Sequence, residues 1–250
     1  AIHQALALDS TLAEVQFVAA LVRAWLDWDW EGAESAFRKA IEINPNYADA
    51  RAFYAGFLYV MERPEEGRAQ MDRALELDPL NLMFRTMNGG LLHTEGRYAE
   101  AIEELEAVLQ IEPDLIIAAI SLIWAYHDSG NYDEAMALAR TVDASDPELQ
   151  EAADREYAEG GWRAANLRVA ETLAARPGAA ELLSIQVATS YAWAGERERT
   201  LEWLEKAYEV RHYVLPGNLP ASGFGPVPGD DPRYKALRRR MNLPIGPEGN

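Results

Sequence analysis

The sequence predicts an all-α protein, a solenoid of about six helical hairpins closed by a loop and a short C-terminal helix. Three observations carry that prediction. Pro45, Pro79, Pro113 and Pro147 are each 34 residues apart, and at a proline background near 5% three successive hits arise by chance roughly once in ten thousand. Within a period the apolar residues return at helical spacing, as in Ala118, Leu122, Ala125 and Tyr126, and again, after Gly130, in Tyr132, Ala135, Leu138, Ala139 and Val142. Ala33, Gly67, Ala101 and Ala135 keep the same step, as two closely paired helices require, while a glycine can end the first helix and a proline cannot continue the second.

The elements follow in order. Residues 1–9 are expected to be the tail of an upstream repeat, and the opening AIHQALALDS, without Met, basic n-region or apolar h-region, reads as an excerpt from a longer protein. The first repeat, 11–47, holds one extra residue between Ser10 and Trp28, because Ser10 stands where a closing proline would and lies 35 residues before Pro45. Repeats at 48–81, 82–115 and 116–147 keep the period, with Ile43, Leu77 and Ile111, Gly96 and Gly130, and Tyr98 and Tyr132 in register. The fifth, 148–178, is compressed, since Pro147 and Pro177 are 30 apart; its first helix is expected to have lost a turn, with Gly160, Trp162, Ala165 and Val169 marking its second. A sixth at 179–211 carries Tyr191, Gly195, Leu204 and Ala207, so the array occupies 1–214. Residues 215–231, crowded with Pro and Gly, are a loop. In the cap and tail at 232–250, a helix from Pro232 to Met241 presents Tyr234, Leu237 and Met241 on one face.

The period, the small residues, the aromatics Tyr98 and Tyr132 and the closing Pro113 and Pro147 resemble the tetratricopeptide repeat family over roughly residues 11–211. The resemblance implies a right-handed α-solenoid whose first helices line a concave side. Equivalent concave places hold Ala52, Thr86 and Ile120; Gly56, Gly90 and Trp124; Tyr59, His93 and His127; and Val60, Thr94 and Asp128. Glycines in two adjacent repeats leave a hollow that Trp124 would wall, a pocket for a bulky apolar side chain. The competing reading is that the glycines serve close helix packing and Trp124 packs between repeats. The candidate peptide-binding residues are Gly56, Tyr59, Gly90, His93, Trp124 and His127. The Lys, Arg and Asn with which some relatives clamp a C-terminal carboxylate are replaced here mostly by Ala, Gly, Thr, Ile and Trp, which disfavours chaperone-tail binding. Asp27-Trp28-Asp29-Trp30, the segment from Glu202 to Tyr208, and Asp231-Pro232-Arg233-Tyr234 with Met241-Asn242-Leu243-Pro244 resemble the C-terminal repeat region of large bacterial regulators fused to a cyclase, a kinase or a winged-helix module.

A formal charge of −18 repels phosphate backbones and anionic headgroups, so nucleic acid and membrane surfaces are poor partners. Proline breaks the longest uncharged run, His212 to Gly229, and Leu182 to Gly195 is too short to span a bilayer. No cysteine is present, and His3, His93, His127 and His212 form no HExxH-like arrangement, so no metal or other cofactor is expected. Even if His93 and His127 converged, Asp128 would be the one obvious third ligand. Glu100, Glu103, Glu104 and Glu106 lie along a solvated helix face, and the glycines at 223, 225 and 229 lack the strand and Lys-Ser/Thr of a phosphate loop. Arg233, Lys235, Arg238, Arg239 and Arg240 make the one basic concentration, expected to neutralise acidic neighbours on the final hairpin or to dock an acidic partner. No set of nucleophile, base and oxyanion donors is recognisable. The expected function is therefore non-catalytic binding of a protein or peptide, in the cytoplasm with the periplasm as the other possibility. Self-association, or restraint of a separate catalytic domain, stands as the alternative.

Overall fold

The computed structural model describes residues 12–142 and 146–245. The expected upstream remnant at 1–9 therefore lies outside the described residues, as does the tail beyond 245. Among the described residues the architecture is all-α apart from one hairpin of two-residue strands, and the chain divides into two compact units, 1–113 and 114–250.

In the first unit three antiparallel helical hairpins follow one another: α1 (Ala13–Val22) with α2 (Trp30–Ile43), α3 (Ala48–Val60) with α4 (Pro64–Leu77), and α5 (Leu82–Thr94) with α6 (Tyr98–Ile111). The turn inside each hairpin is set by one left-handed residue. Trp28, Glu62 and Gly96 step by 34 and take φ of 57°, 58° and 75°, and in the second unit Gly130 continues the series at 82°. The conformation is thus periodic even where glycine, which adopts it without a Cβ penalty, is replaced by Trp or Glu. Asp29 begins α2, its carboxylate accepting from the Gly32 amide at 3.0 Å, and Trp30 behind it is buried. This gives Asp-Trp-Asp-Trp a mechanical meaning: one Trp turns the chain, the second Asp caps, and the second Trp enters the core.

The stretch from Ser10 to Trp28, expected to hold one extra residue, contains among its described residues a π turn, Arg23–Asp27, closing α1. A π turn bonds i to i+5 and so takes up one residue more than an α turn. Small residues hold the hairpins close: Ala33 and Ala101 are fully buried, and a Cβ on Gly67 would stand 2.6 Å from the Tyr59 ring. Around them Phe37, Tyr54 and Phe57 pack ring against ring at 5.4–6.0 Å. Burying each such side chain contributes about 1.5–3 kcal/mol.

The second unit opens with the hairpin of α7 (Ile116–Ser129) and α8 (Tyr132–Val142), where Ala135 is fully buried. The next helix, α9 (Pro147–Ala174), corrects the expectation of a lost turn. Its first half, up to Gly160, keeps full length, and Pro147 opens it instead of closing the preceding repeat. The connection, three residues at 61–63 and 95–97, is reduced to Gly161 at φ 70°, ψ −162°, a backbone region essentially confined to glycine. This saves two of the four residues, and Pro147, three residues ahead of the helix in the other repeats and its first residue here, shortens the proline spacing further. A short α10 (Ala179–Leu182) leads to α11 (Ser184–Ala194) and α12 (Arg197–Glu209), which pair as a hairpin.

The Pro/Gly-rich segment packs back on its own unit. Leu215, Leu219, Phe224 and Val227 are buried, and β1 (Gly223–Phe224) pairs antiparallel with β2 (Val227–Pro228). The capping helix α13 (Pro232–Arg240) starts at Asp231, whose carboxylate accepts the amides of Arg233 and Tyr234 and pairs with Arg197. Tyr234, Leu237 and Met241 form its buried face, and Arg233 bridges Glu198 at 3.0 Å and Glu205 at 2.9 Å on α12. Of the basic run, Arg233 neutralises acidic neighbours on the final hairpin, whereas Arg238 donates to the Pro244 carbonyl and Arg240 lies over the Tyr208 ring.

Candidate functional site

The six candidate residues fall in both units. In the first, Gly56 and Tyr59 lie on α3 and Gly90 and His93 on α5. The two adjacent glycines of α5 have opposite surroundings. A Cβ on Gly89 would stand 2.5 Å from Leu105 Cγ, so Gly89 is the packing glycine that lets α5 meet α6. A Cβ on Gly90 would meet nothing within 4 Å. At Gly56 a Cβ would reach only Met87 Cε, at 3.7 Å, so the flexible end of Met87 covers that position.

The other members of this group are held by the fold. The Tyr59 ring lies on Gly67, its hydroxyl donates to Glu95, and burial with that bond pushes the phenol up to about 12. Burial by itself would raise the Glu95 carboxyl. Hydrogen bonds from Tyr59, Arg68 and Arg97 outweigh it and hold the group below the usual carboxylate range. His93 sits 5.6 Å, centroid to centroid, from Tyr98. Ala52 and Thr86, expected to line the same side, are instead core residues, Thr86 returning its hydroxyl to the Leu82 carbonyl at 2.7 Å. The accessible side of α5 carries Met83 and Met87 with Gly90, preceded by Leu80, which is 82% exposed. The spacing of 3, 4 and 3 residues from Leu80 to Gly90 is the signal of this side in the sequence.

In the second unit Trp124 and His127 belong to an aromatic cluster built by the chain itself. Trp124 meets Trp193 of α11 at 4.9 Å and Phe224 of the C-terminal hairpin at 5.8 Å, both edge to face. His127 stands 5.1–6.0 Å from Tyr132, Trp162 and Trp193. The Trp162 indole donates to His127 Nδ1 at 2.9 Å, which puts the neutral ring's own proton on Nε2, 3.6 Å from Asp128 Oδ1. In this unit the Trp124 ring thus packs against other rings of the chain. Trp162 and Trp193 bear no 34-residue relation to Trp124, which is why the period did not find them, and Phe224 comes from outside the repeats. Of the row Ala52, Thr86 and Ile120, Ile120 alone is exposed, at 44%.

A hollow of about 500 Å³ lies elsewhere, between α1 and α2, where Gln16, Arg23, Glu31, Glu34, Arg38 and Glu42 contribute to its wall. Its charges are largely mutual, with Arg38 2.7 Å from Glu34, and it touches none of the candidate residues. Among the described residues no three His, Asp or Glu side chains converge as a metal site would need. No helix among them is long and apolar enough to cross a membrane.

Comparison with known proteins bears on the fold. The structure of Pseudomonas aeruginosa PilF is 18% identical over 91% of this chain and 97% of its own, with a TM-score of 0.52. That of PilW, described as a widely conserved type IV pilus biogenesis factor, is 16% identical over 79% of this chain and 92% of its own, with a TM-score of 0.56. At such identities the likeness is one of fold. No curated protein matches the chain. A family model described as tetratricopeptide repeat matches residues 24–85 and 92–155, just over half of the chain, and a second model of the same description matches 58–116. With its 34-residue period, periodic left-handed turns and paired helices, the chain belongs to the tetratricopeptide repeat family.

Proposed function

We propose that this chain is a non-catalytic peptide-binding module whose binding surface includes Gly56, Tyr59, Gly90 and His93. The observation that carries the reading is the contrast on α5: Gly89 is glycine because Leu105 leaves no room, whereas nothing fills the space beside Gly90. A helix gains by replacing an unconstrained glycine with almost any other residue, so an open glycine on an exposed apolar side fits a seat for a partner's side chain. Tyr59, pinned by Gly67 and Glu95, and His93, beside Tyr98, form fixed edges. Trp124 and His127 enter the proposal only if a partner displaces Phe224 from its place on Trp124.

The test exposes wild type and Gly90→Leu to the same synthetic peptide array, with circular dichroism as the check on folding. Binding retained equally by both would place the binding surface elsewhere and refute the reading. A second reading, self-association, draws on the exposed Leu12, Val18 and Leu26 in and around α1. Light scattering of wild type against Leu26→Glu decides it: a dimer lost in the variant supports it, and a monomeric wild type excludes it. We further propose a cytoplasmic setting within a larger bacterial regulator, supported by the Asp-Trp-Asp-Trp and Asp-Pro-Arg-Tyr segments. A partner domain unrelated to a cyclase, kinase or winged helix in the intact gene product would overturn that context.

A further inference from the structure

We propose that the partner of the first unit is a basic segment anchored by one large apolar side chain, an inference that rests on the peptide-binding reading above. Its seat is the accessible side of α5. Leu80 just ahead of the helix, Met83, Met87 and Gly90 follow one another at helical spacing; Leu80 is 82% and Met83 36% exposed, and Gly90 leaves an open place among them. Methionine adapts its shape to what it meets. Met87, whose Cε end lies over Gly56, is half-buried against the core of the unit and forms the floor beside this place.

The second unit shows what kind of side chain suits such a place. Trp124 stands 34 residues after Gly90, and it is met edge to face by Phe224, presented from a turn that runs Gly223-Phe224-Gly225-Pro226. Where the repeat position carries a large ring, the chain supplies its own aromatic contact. At Gly90, where it carries glycine and a Cβ would meet nothing within 4 Å, the space is left for a side chain of that size from outside.

Charge selects the flanks. Residues 1–113 hold 20 Asp and Glu against 9 Lys and Arg, a net −11. All nine cations are engaged within the unit. Arg38, Lys39, Arg63, Arg68, Arg73, Arg85 and Arg97 pair with carboxylates. Arg23 donates to the Gly32 carbonyl, and Arg51 to the Pro45 carbonyl and Gln70. An acidic partner would find every basic group already committed. The surplus carboxylates border the apolar face: exposed Asp49 lies on α3 two turns before Gly56, and exposed Asp78 two residues before Leu80. Lys or Arg on either side of the anchor would meet this field, which guides encounter and weakens with salt.

The experiment selects a phage-displayed random library of about 12-residue peptides against the full chain. The best clone is then synthesised and its binding followed by fluorescence anisotropy. Expected clones place Lys or Arg around a Phe, Trp, Leu or Met. Their affinity should fall about tenfold or more in Gly90→Leu and in Met83→Glu, both with unchanged circular dichroism, and severalfold between about 50 and 300 mM salt. Clones that need Gly90 but are neutral or acidic would overturn the charge inference while leaving the peptide-binding reading intact. Failure to obtain any clone sensitive to Gly90→Leu or Met83→Glu would overturn both.

Discussion

Substituting the neighbouring glycines of α5 by alanine, one at a time, should move stability in opposite directions relative to the helix-propensity gain they share. Both occupy the middle of a helix, where exchanging Gly for Ala contributes about 0.5–1 kcal/mol through unfolded-chain entropy. At Gly90 the new methyl meets nothing within 4 Å. Gly90→Ala should therefore stabilise the chain by about that amount. At Gly89 the same methyl would stand 2.5 Å from Leu105 Cγ and 2.7 Å from its Cδ2, and Leu105 is fully buried. Because Leu105 is enclosed by the core, its side chain or the packing of α5 on α6 must shift, at a cost of about 1–3 kcal/mol for overpacking. The two variants should differ by about that cost, with Gly89→Ala the less stable. Urea titration followed by circular dichroism gives both values, and the fitted slope shows whether one transition describes the unfolding. Equal effects, or a Gly89→Ala at least as stable as Gly90→Ala, would refute the assignment of one glycine to packing and the other to an open seat.

Three further outcomes are expected. Ala135→Phe places a ring where the fully buried Ala135 leaves no room and should cost about 1–3 kcal/mol or more, read as a lower melting temperature. Gly161→Ala forces a Cβ onto φ 70°, ψ −162° and should cost on the order of 1–3 kcal/mol; an unchanged melting temperature would deny that this residue makes the connection within α9. Acid should weaken the first unit through Glu34 and Glu95, both held below the ordinary carboxylate range despite burial. Because their folded pKa values are depressed, their contribution is complete above the unfolded value of about 4.3 and is lost as pH falls below it through the folded values. The double variant Glu34→Gln/Glu95→Gln, followed by urea midpoints between about pH 6 and 3, should show a flatter decline than wild type.

The hairpin architecture was legible because it is a local, repeated pattern. A 34-residue step, helical apolar spacing and a small residue per hairpin each follow from what two paired helices need, and every repeat restates them. The sequence predicts a one-residue surplus between Ser10 and Trp28 without specifying its form, since a π turn such as the one at Arg23–Asp27 and a lengthened loop satisfy the same count. In the compressed fifth repeat it marked the shortfall and misjudged where it falls. Thirty residues between prolines are as compatible with a shorter helix as with a one-residue connection and a proline shifted into the helix, and only the backbone distinguishes them.

For the candidate site the division is sharper. Periodicity says which residues occupy equivalent places and nothing about what stands opposite them. Gly89 and Gly90 are indistinguishable as letters; the position of Leu105, sixteen residues away on another helix, makes one a packing glycine and leaves the other open. Trp124 and Gly90 occupy the same repeat position, yet Trp124 is covered by Trp193 and by Phe224, the latter from a segment outside the repeat pattern. The sequence by itself determined the repeating hairpin, because its causes lie within one period. The tertiary structure alone decided which equivalent places are filled and which are free, because that depends on side chains brought together from distant parts of the chain.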